Sequence, residues 1–194
     1  MMIGIRKGKN QFIIICISLL IVLLSGVYFY FFISVNRRYP EAEAEVHSID
    51  EAFVYAFNKN FEFKVGDFSI LNKEEIEKLD PVLYQQYIPA GSDVVLCLVT
   101  LNIKNIGTEV DSLEIAPFKI ESGVYENGFE LNFYGYFNKD GKKGDYASGE
   151  ERVFVLPYLV FRSGLKEKNW ENRYGLKCFL VTSLYPVEQR VMLN

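Results

Sequence analysis

The chain has 194 residues, of which 49 % are hydrophobic, 15 % aromatic and 24 % charged, and its net charge is −4. That length allows an apolar segment plus one well-filled core. The acidic balance suits nucleic acid poorly, because a polyanion attracts dense positive charge. The charge is unevenly placed: Arg6, Lys7 and Lys9 precede Phe12, all 25 acidic residues follow Val35, and the remainder carries about −7.

Phe12 to Val35 (FIIICISLLIVLLSGVYFYFFISV) holds no charge, no proline and one glycine over 24 positions. A bilayer core needs roughly 20 apolar residues in a helix, so 12–35 reads as a transmembrane helix in contact with membrane lipid. Lys and Arg near the ends decide orientation. Three basic residues stand before the run, against Arg37 and Arg38 after it. That order predicts residues 1–11 in the cytoplasm and the C-terminal part outside a plasma membrane. A secretory signal has a shorter apolar stretch of roughly 7–15 residues with small residues close behind, whereas Ala42-Glu43-Ala44 lies far downstream. Cys16 invites lipidation, but bulky Ile15 precedes it and the apolar run continues past it.

Residues 36–47 (NRRYPEAEAEVH) have no apolar face and read as a stalk, with His47 as a solvated linker residue. Residues 48–194 read as one extracytoplasmic β domain. Ser48 to Asn58 fits a helix by its capping-box spacing and a strand by its FVYAF content; strand is favoured. Phe61 to Val65 alternates. Asn72 and Glu75 form a capping box for one inserted helix from Lys73 to Tyr87, interrupted and restarted at Asp80-Pro81. Asp93 to Lys104 (DVVLCLVTLNIK) is a long strand with Val95, Cys97, Val99, Leu101 and Ile103 on one face. Leu113 to Ile120 is an edge strand containing Pro117. Asn127-Gly128 signals a hairpin turn, and Phe129, Leu131, Phe133 and Phe137 alternate behind it. Val153 to Phe161, Leu176 to Leu184 and Val187 to Leu193 complete about seven strands, the pattern of an all-β sandwich.

Arg38 to Pro40 (RYP), Leu101 to Asn105 (LNIKN), Leu184 to Pro186 (LYP) and Val191 to Asn194 (VMLN) resemble domain-of-unknown-function families. Those families are single-pass surface proteins of low-GC Gram-positive bacteria. The resemblance implies an immunoglobulin-like sandwich at the cell surface. It implies no activity, since sandwiches host many unrelated roles.

Several chemistries are read and set aside. His47 is the only histidine, with no cysteine cluster beside it, which disfavours a triad or a zinc site. Ser163 to Lys166 (SGLK) matches Ser-x-x-Lys, but no Lys-Thr-Gly or Ser-Asp-Asn partner accompanies it. Asn138 to Asp145 (NKDGKKGD) looks like a calcium loop, yet three lysines occupy it and no closing glutamate follows. No Gly-rich phosphate loop is present, and no cofactor is expected.

Two features remain as candidates. Cys97 and Cys178 sit mid-strand on apolar faces, in the second and penultimate strands, where an antibody-type sandwich carries its inter-sheet disulfide. Against a bond, they lie 81 residues apart, Trp170 falls in a loop, and free cysteine is an ordinary core residue. Tyr134 and Tyr136, with Tyr125 and Tyr146 nearby, are a candidate partner-binding surface. The expected role is a non-catalytic binding or accessory module facing an unknown protein or cell-wall partner. The alternatives are an accessory or immunity partner of a transporter or antimicrobial-peptide system, and a cell-envelope hydrolase or transferase.

Overall fold

The computed structural model describes residues 4–39, 41–139, 141 and 144–194. The chain divides into two units, Met1–Glu41 and Ala42–Asn194. The first is a single helix, α1 (Gly4–Arg38). Its stretch Gln11–Arg38 is long and apolar enough to cross a membrane, and none of it is buried against protein.

The second unit is built around its longest strand. Val94–Asn105 begins as a continuous apolar run and ends alternating. Val95, Cys97, Val99, Leu101 and Ile103 point into the main core, while Val94 and Leu96, on the opposite face, enter a second, smaller cluster. The run alternates from Thr100 onward, because Thr100, Asn102 and Lys104 on that opposite face are half-buried or exposed.

Among the described residues nine strands make two sheets. One contains β2 (Ala52–Val54), β3 (Phe61–Leu71), β4 (Val94–Asn105) and β7 (Glu151–Phe161), in that order and antiparallel. The other runs β1 (Glu43–Ser48), β9 (Val187–Met192), β8 (Phe179–Ser183), β5 (Lys119–Ser122), β6 (Tyr125–Gly128), with β1 parallel to β9. Fully buried Phe61, Phe63, Phe118, Leu101, Leu156, Tyr158 and Leu180 fill the space between them. Burying such an aliphatic or aromatic side chain stabilises by about 1.5–3 kcal/mol.

Buried Gln189 of β9 ties the sheets together. Its Oε1 accepts from the Ala56 N–H at 2.7 Å, and its Nε2 donates to Val54 O at 2.9 Å and to Glu45 Oε2 at 2.8 Å.

Short helices cover the outer face of β4. Asn72 Oδ1 accepts from the Glu75 N–H at 3.0 Å, and Glu75 Oε2 accepts from the Asn72 N–H at 2.7 Å, starting α2 (Lys73–Leu79). Asp80 Oδ1 then accepts from the Val82 and Leu83 N–H groups and starts α3 (Pro81–Tyr87). Fully buried Ile76 anchors this layer on Val94, Leu96 and Leu159.

Several sequence expectations need correction. The strand count is nine among the described residues, not about seven, and four short α-helices stand where one was expected. The stretch read as a stalk contributes β1, which is mostly exposed and is held by its backbone ladder to β9, so no apolar alternation announces it. Within Ser48–Asn58 the strand residues are Ser48, the end of β1, and Ala52–Val54; the Glu51 carboxylate accepts from the Ser48 N–H and closes a turn between them. Leu113 to Lys119 is largely irregular, and the strand begins only at Lys119. The hairpin turns at Gly123-Val124, where Gly123 has φ +62°, while Asn127-Gly128 lies inside β6. Glycine first in a two-residue turn supplies the twist that antiparallel strands require.

The aromatic alternation after Phe129 is a helix, α4 (Leu131–Phe137). The Glu130 carboxylate accepts from the Asn132 and Phe133 N–H groups at 2.8 and 2.9 Å. Phe133 and Phe137 both reach the smaller cluster, as residues one helical turn apart do, whereas Leu131 is 70 % exposed. Trp170 lies in α5 (Glu167–Glu171) and is buried rather than looped out.

The outer edge of β7 is covered by two side-chain amides and one backbone N–H. Asn138 Oδ1 accepts from the Val155 N–H at 3.0 Å and its Nδ2 donates to Val155 O at 2.8 Å. Asn127 Nδ2 donates to Leu159 O at 2.8 Å, and the Glu130 N–H donates to Pro157 O at 2.7 Å.

Candidate functional site

Cys97 on β4 and Cys178 just before β8 are both buried in the main core, and both are free thiols. They line one void of about 20 Å³ with Ser122, Tyr125 and Leu176 among its walls. Burial pushes the Cys97 thiol up to about 12, with Cys178 adding to the effect. Burial raises Cys178 as well, opposed by a hydrogen bond from Ser122. Both therefore remain protonated at neutral pH, the form with little nucleophilicity.

The tyrosines lie on packing surfaces. Tyr134 stacks on Phe154 with ring centroids 6.4 Å apart and packs beside Phe129 at 5.1 Å. Tyr136 OH donates to Leu79 O at 3.2 Å, and Lys139 Nζ lies 4.4 Å from its ring. Tyr125 is half-buried and Tyr146 buried. Tyr134 and Tyr136 are each half-buried on α4, not on a strand face.

His47 is not a solvated linker residue. Its side chain is 14 % exposed and stacks on Phe53 at 4.1 Å, with the rings 5° from parallel. Nδ1 lies 3.0 Å from Glu51 Oε1 and Nε2 3.7 Å from Glu45 Oε2. The hydrogen bond to His47, helped by the Ser48 N–H, holds the Glu51 carboxyl below its usual range. Ser163 falls in a 3-10 turn (Arg162–Gly164) and Lys166 at the entry to α5. In the loop read against calcium binding, Asp140, Lys142 and Lys143 lie outside the described residues, as does Pro40. Among the described residues no group of three or more His, Cys, Asp or Glu side chains is set to hold a metal ion.

A cleft of about 470 Å³ opens at one end of the sandwich. Tyr55 and Phe57 beyond β2, Leu113 and Pro117 of the irregular segment, and Val181 and Leu184 of β8 and its exit line it. Tyr55 stacks on Phe63 at 4.7 Å and meets Phe118 edge-on, so its ring is fixed. Burial, with the Glu114 charge, raises the Tyr55 phenol. Phe57 and Leu184 are 61 % and 53 % exposed. Ser183 Oγ donates to Val187 O at 2.6 Å, so this hydroxyl is already engaged. The cleft is apolar, with Glu114 and Lys119 also on its wall, and Lys119 is paired with Glu126. Sequence reasoning missed this surface because its residues come from three separated segments. Clustered aromatics at Tyr55 and Phe57, next to a loop that the chain leaves irregular around Pro117, were the available signal.

No family model and no curated protein matches the sequence. Among solved structures, the chain is similar to a conserved hypothetical protein from Bacillus anthracis, at 13 % identity and TM-score 0.49 over 76 % of this chain and 95 % of that one. It is also similar to an uncharacterized β-sandwich protein from Clostridium difficile, at 11 % identity and TM-score 0.46 over 79 % and 97 %. A functionally unknown protein from Listeria monocytogenes follows, at 9 % identity and TM-score 0.44 over 74 % and 79 %.

Proposed function

We propose that this chain is a membrane-anchored, extracytoplasmic β-sandwich module of a Gram-positive cell surface that binds a protein or cell-wall partner and performs no catalysis. The observation that carries the anchor is α1: its apolar stretch finds no protein surface to bury it. Hydrocarbon removes that surface from water, and a helix satisfies its own backbone there. The excess of Arg and Lys before the apolar run supports the external placement, and the resemblance of the RYP, LNIKN and LYP segments supports the bacterial surface.

An immunoglobulin-like type is supported by connectivity. Strands β4 and β7 are neighbours in one sheet, and β5, β8 and β9 are neighbours in the other. These correspond to the B–E and C–F–G groupings of that architecture. A binding role is supported by an open, aromatic-floored cleft, and by thiols held in their unreactive protonated form.

Protease added to intact, wall-stripped cells tests the placement. Digestion of the C-terminal unit is the expected result, with α1 left in the membrane fraction. Digestion only after membrane lysis overturns the orientation, and a soluble form beginning near Glu45 overturns the anchor.

A further inference from the structure

A second cleft, of about 350 Å³, is lined by Lys73 at the start of α2, Asp93 and Val94 beside β4, and Trp170, Arg173 and Tyr174 around the end of α5. Arg173 opens a 3-10 turn (Arg173–Gly175) and its guanidinium is held between two rings. Its central carbon lies 4.7 Å from the Trp170 ring centroid and 4.6 Å from that of Tyr174. Cation–π attraction on both rings fixes the guanidinium. Trp170 is 8 % exposed and seated in the main core, whereas Tyr174 is 49 % exposed. The platform is therefore rigid on one side and open on the other.

The charge of this guanidinium is unanswered. Arg152, Arg162 and Arg190 each contact a carboxylate. Arg173 makes one hydrogen bond, from Nη1 to Trp170 O at 3.0 Å, and its Nε is buried without an acceptor. Two nearby acids are engaged elsewhere, Asp93 with Arg162 at 2.8 Å and Glu167 with the same arginine at 2.6 Å. Glu74 is exposed on the cleft wall, and Lys73, also on that wall, has no ion pair among the described residues. Two cations without an ion pair among the described residues, Lys73 and Arg173, thus share this opening with one such acid, the exposed Glu74.

We propose that this cleft binds an oxyanion, the phosphate or carboxylate group of a small or polymeric ligand. The planar fork of Arg173 suits two parallel hydrogen bonds to such a group, and Lys73 supplies a second, mobile charge. The inference rests on the binding module proposed above and names the chemistry of its ligand. A failed titration removes the oxyanion site, while protease shaving still decides the topology.

The test uses the full chain in detergent micelles. Trp170 is the only tryptophan, so its emission reports on the cleft directly. Inorganic phosphate and, separately, acetate are titrated at constant ionic strength against chloride. A saturable change with phosphate alone assigns a phosphate ligand, with acetate alone a carboxylate ligand, and with both a general oxyanion site. Arg173→Gln should weaken the midpoint at least about tenfold, the scale of a lost charge-assisted hydrogen bond. Lys73→Gln, which leaves the ring stack in place, should weaken it about threefold or more. Lys64→Gln, outside the cleft, should leave it unchanged. Phosphorus NMR line broadening gives a second readout where Arg173→Gln alters the emission itself. The proposal is overturned by a wild-type titration with no saturation, or by midpoints that Arg173→Gln and Lys73→Gln leave unmoved.

Discussion

Replacing Gln189 tests whether the two sheets are tied through one side chain. In Gln189→Ala the Ala56 N–H loses its acceptor and Val54 O and Glu45 lose a donor. An unsatisfied buried group costs about 1–3 kcal/mol. These partners are only part-buried, so solvent recovers some of that and the sum is about 2–4 kcal/mol. Small domains have about 5–15 kcal/mol in total, and each kcal/mol moves the melting temperature by about 2–4 °C at this size. A fall of roughly 4–16 °C follows. Gln189→Glu keeps the shape and changes the chemistry. Its carboxylate would face Val54 O and the Glu45 carboxylate, so burial and like charge raise its folded pKa above the ordinary value of about 4.3. A raised folded pKa means the penalty is absent below about pH 4.3, grows as pH rises to the folded pKa, and is constant above it. Melting of the full chain in detergent, followed by Trp170 emission from pH 4 to 8, measures both. The reasoning fails if Gln189→Ala melts within about 1 °C of wild type, or if the Gln189→Glu deficit does not change with pH.

Two further expectations concern the core. Leu101 is fully buried on β4 between Val65 and Phe154, so Leu101→Ala should cost about 2–5 kcal/mol, while exposed Lys104→Ala should stay within about 0.5 kcal/mol; equal effects on the melting temperature would shift the register by one. In a Cys16→Ser background, Cys97 and Cys178 should resist iodoacetamide at pH 8 in the folded protein and react once it is denatured, because burial keeps both thiols protonated. Rapid alkylation under folding conditions would show that the void opens to solvent.

The elements that were legible carry their cause locally. Asn72 and Glu75 satisfy each other's backbone three residues apart, and β4 alternates because one face is core and the other, beyond Leu98, is not. Strand β1 was illegible for the opposite reason. Its partner, β9, lies at the far end of the sequence, and residues such as Glu43 and Glu45 contribute backbone rather than burial. At Phe133 and Phe137 the spacing fits a strand and a helix alike, and the deciding group was the Glu130 carboxylate at the helix start. Tyr134 and Tyr136, offered as a binding surface, lie half-buried on α4, Tyr134 beside Phe129 and Phe154 and Tyr136 bonded to Leu79 O. The cleft around Arg173 depends on Lys73 and Asp93 meeting Trp170 in space, and no local pattern encodes that meeting.

The covering of β7 bears on how crowded copies behave. A long apolar strand at a sheet edge is a template for pairing with a neighbour, and β7 is such a strand. Asn138 presents to Val155 the same donor and acceptor that an incoming backbone would bring, and Pro157 has no N–H to offer. Copies confined to a surface at high density would find the ladder already occupied, by Asn138 at Val155, the Glu130 N–H at Pro157 and Asn127 at Leu159, so self-association through this edge is suppressed.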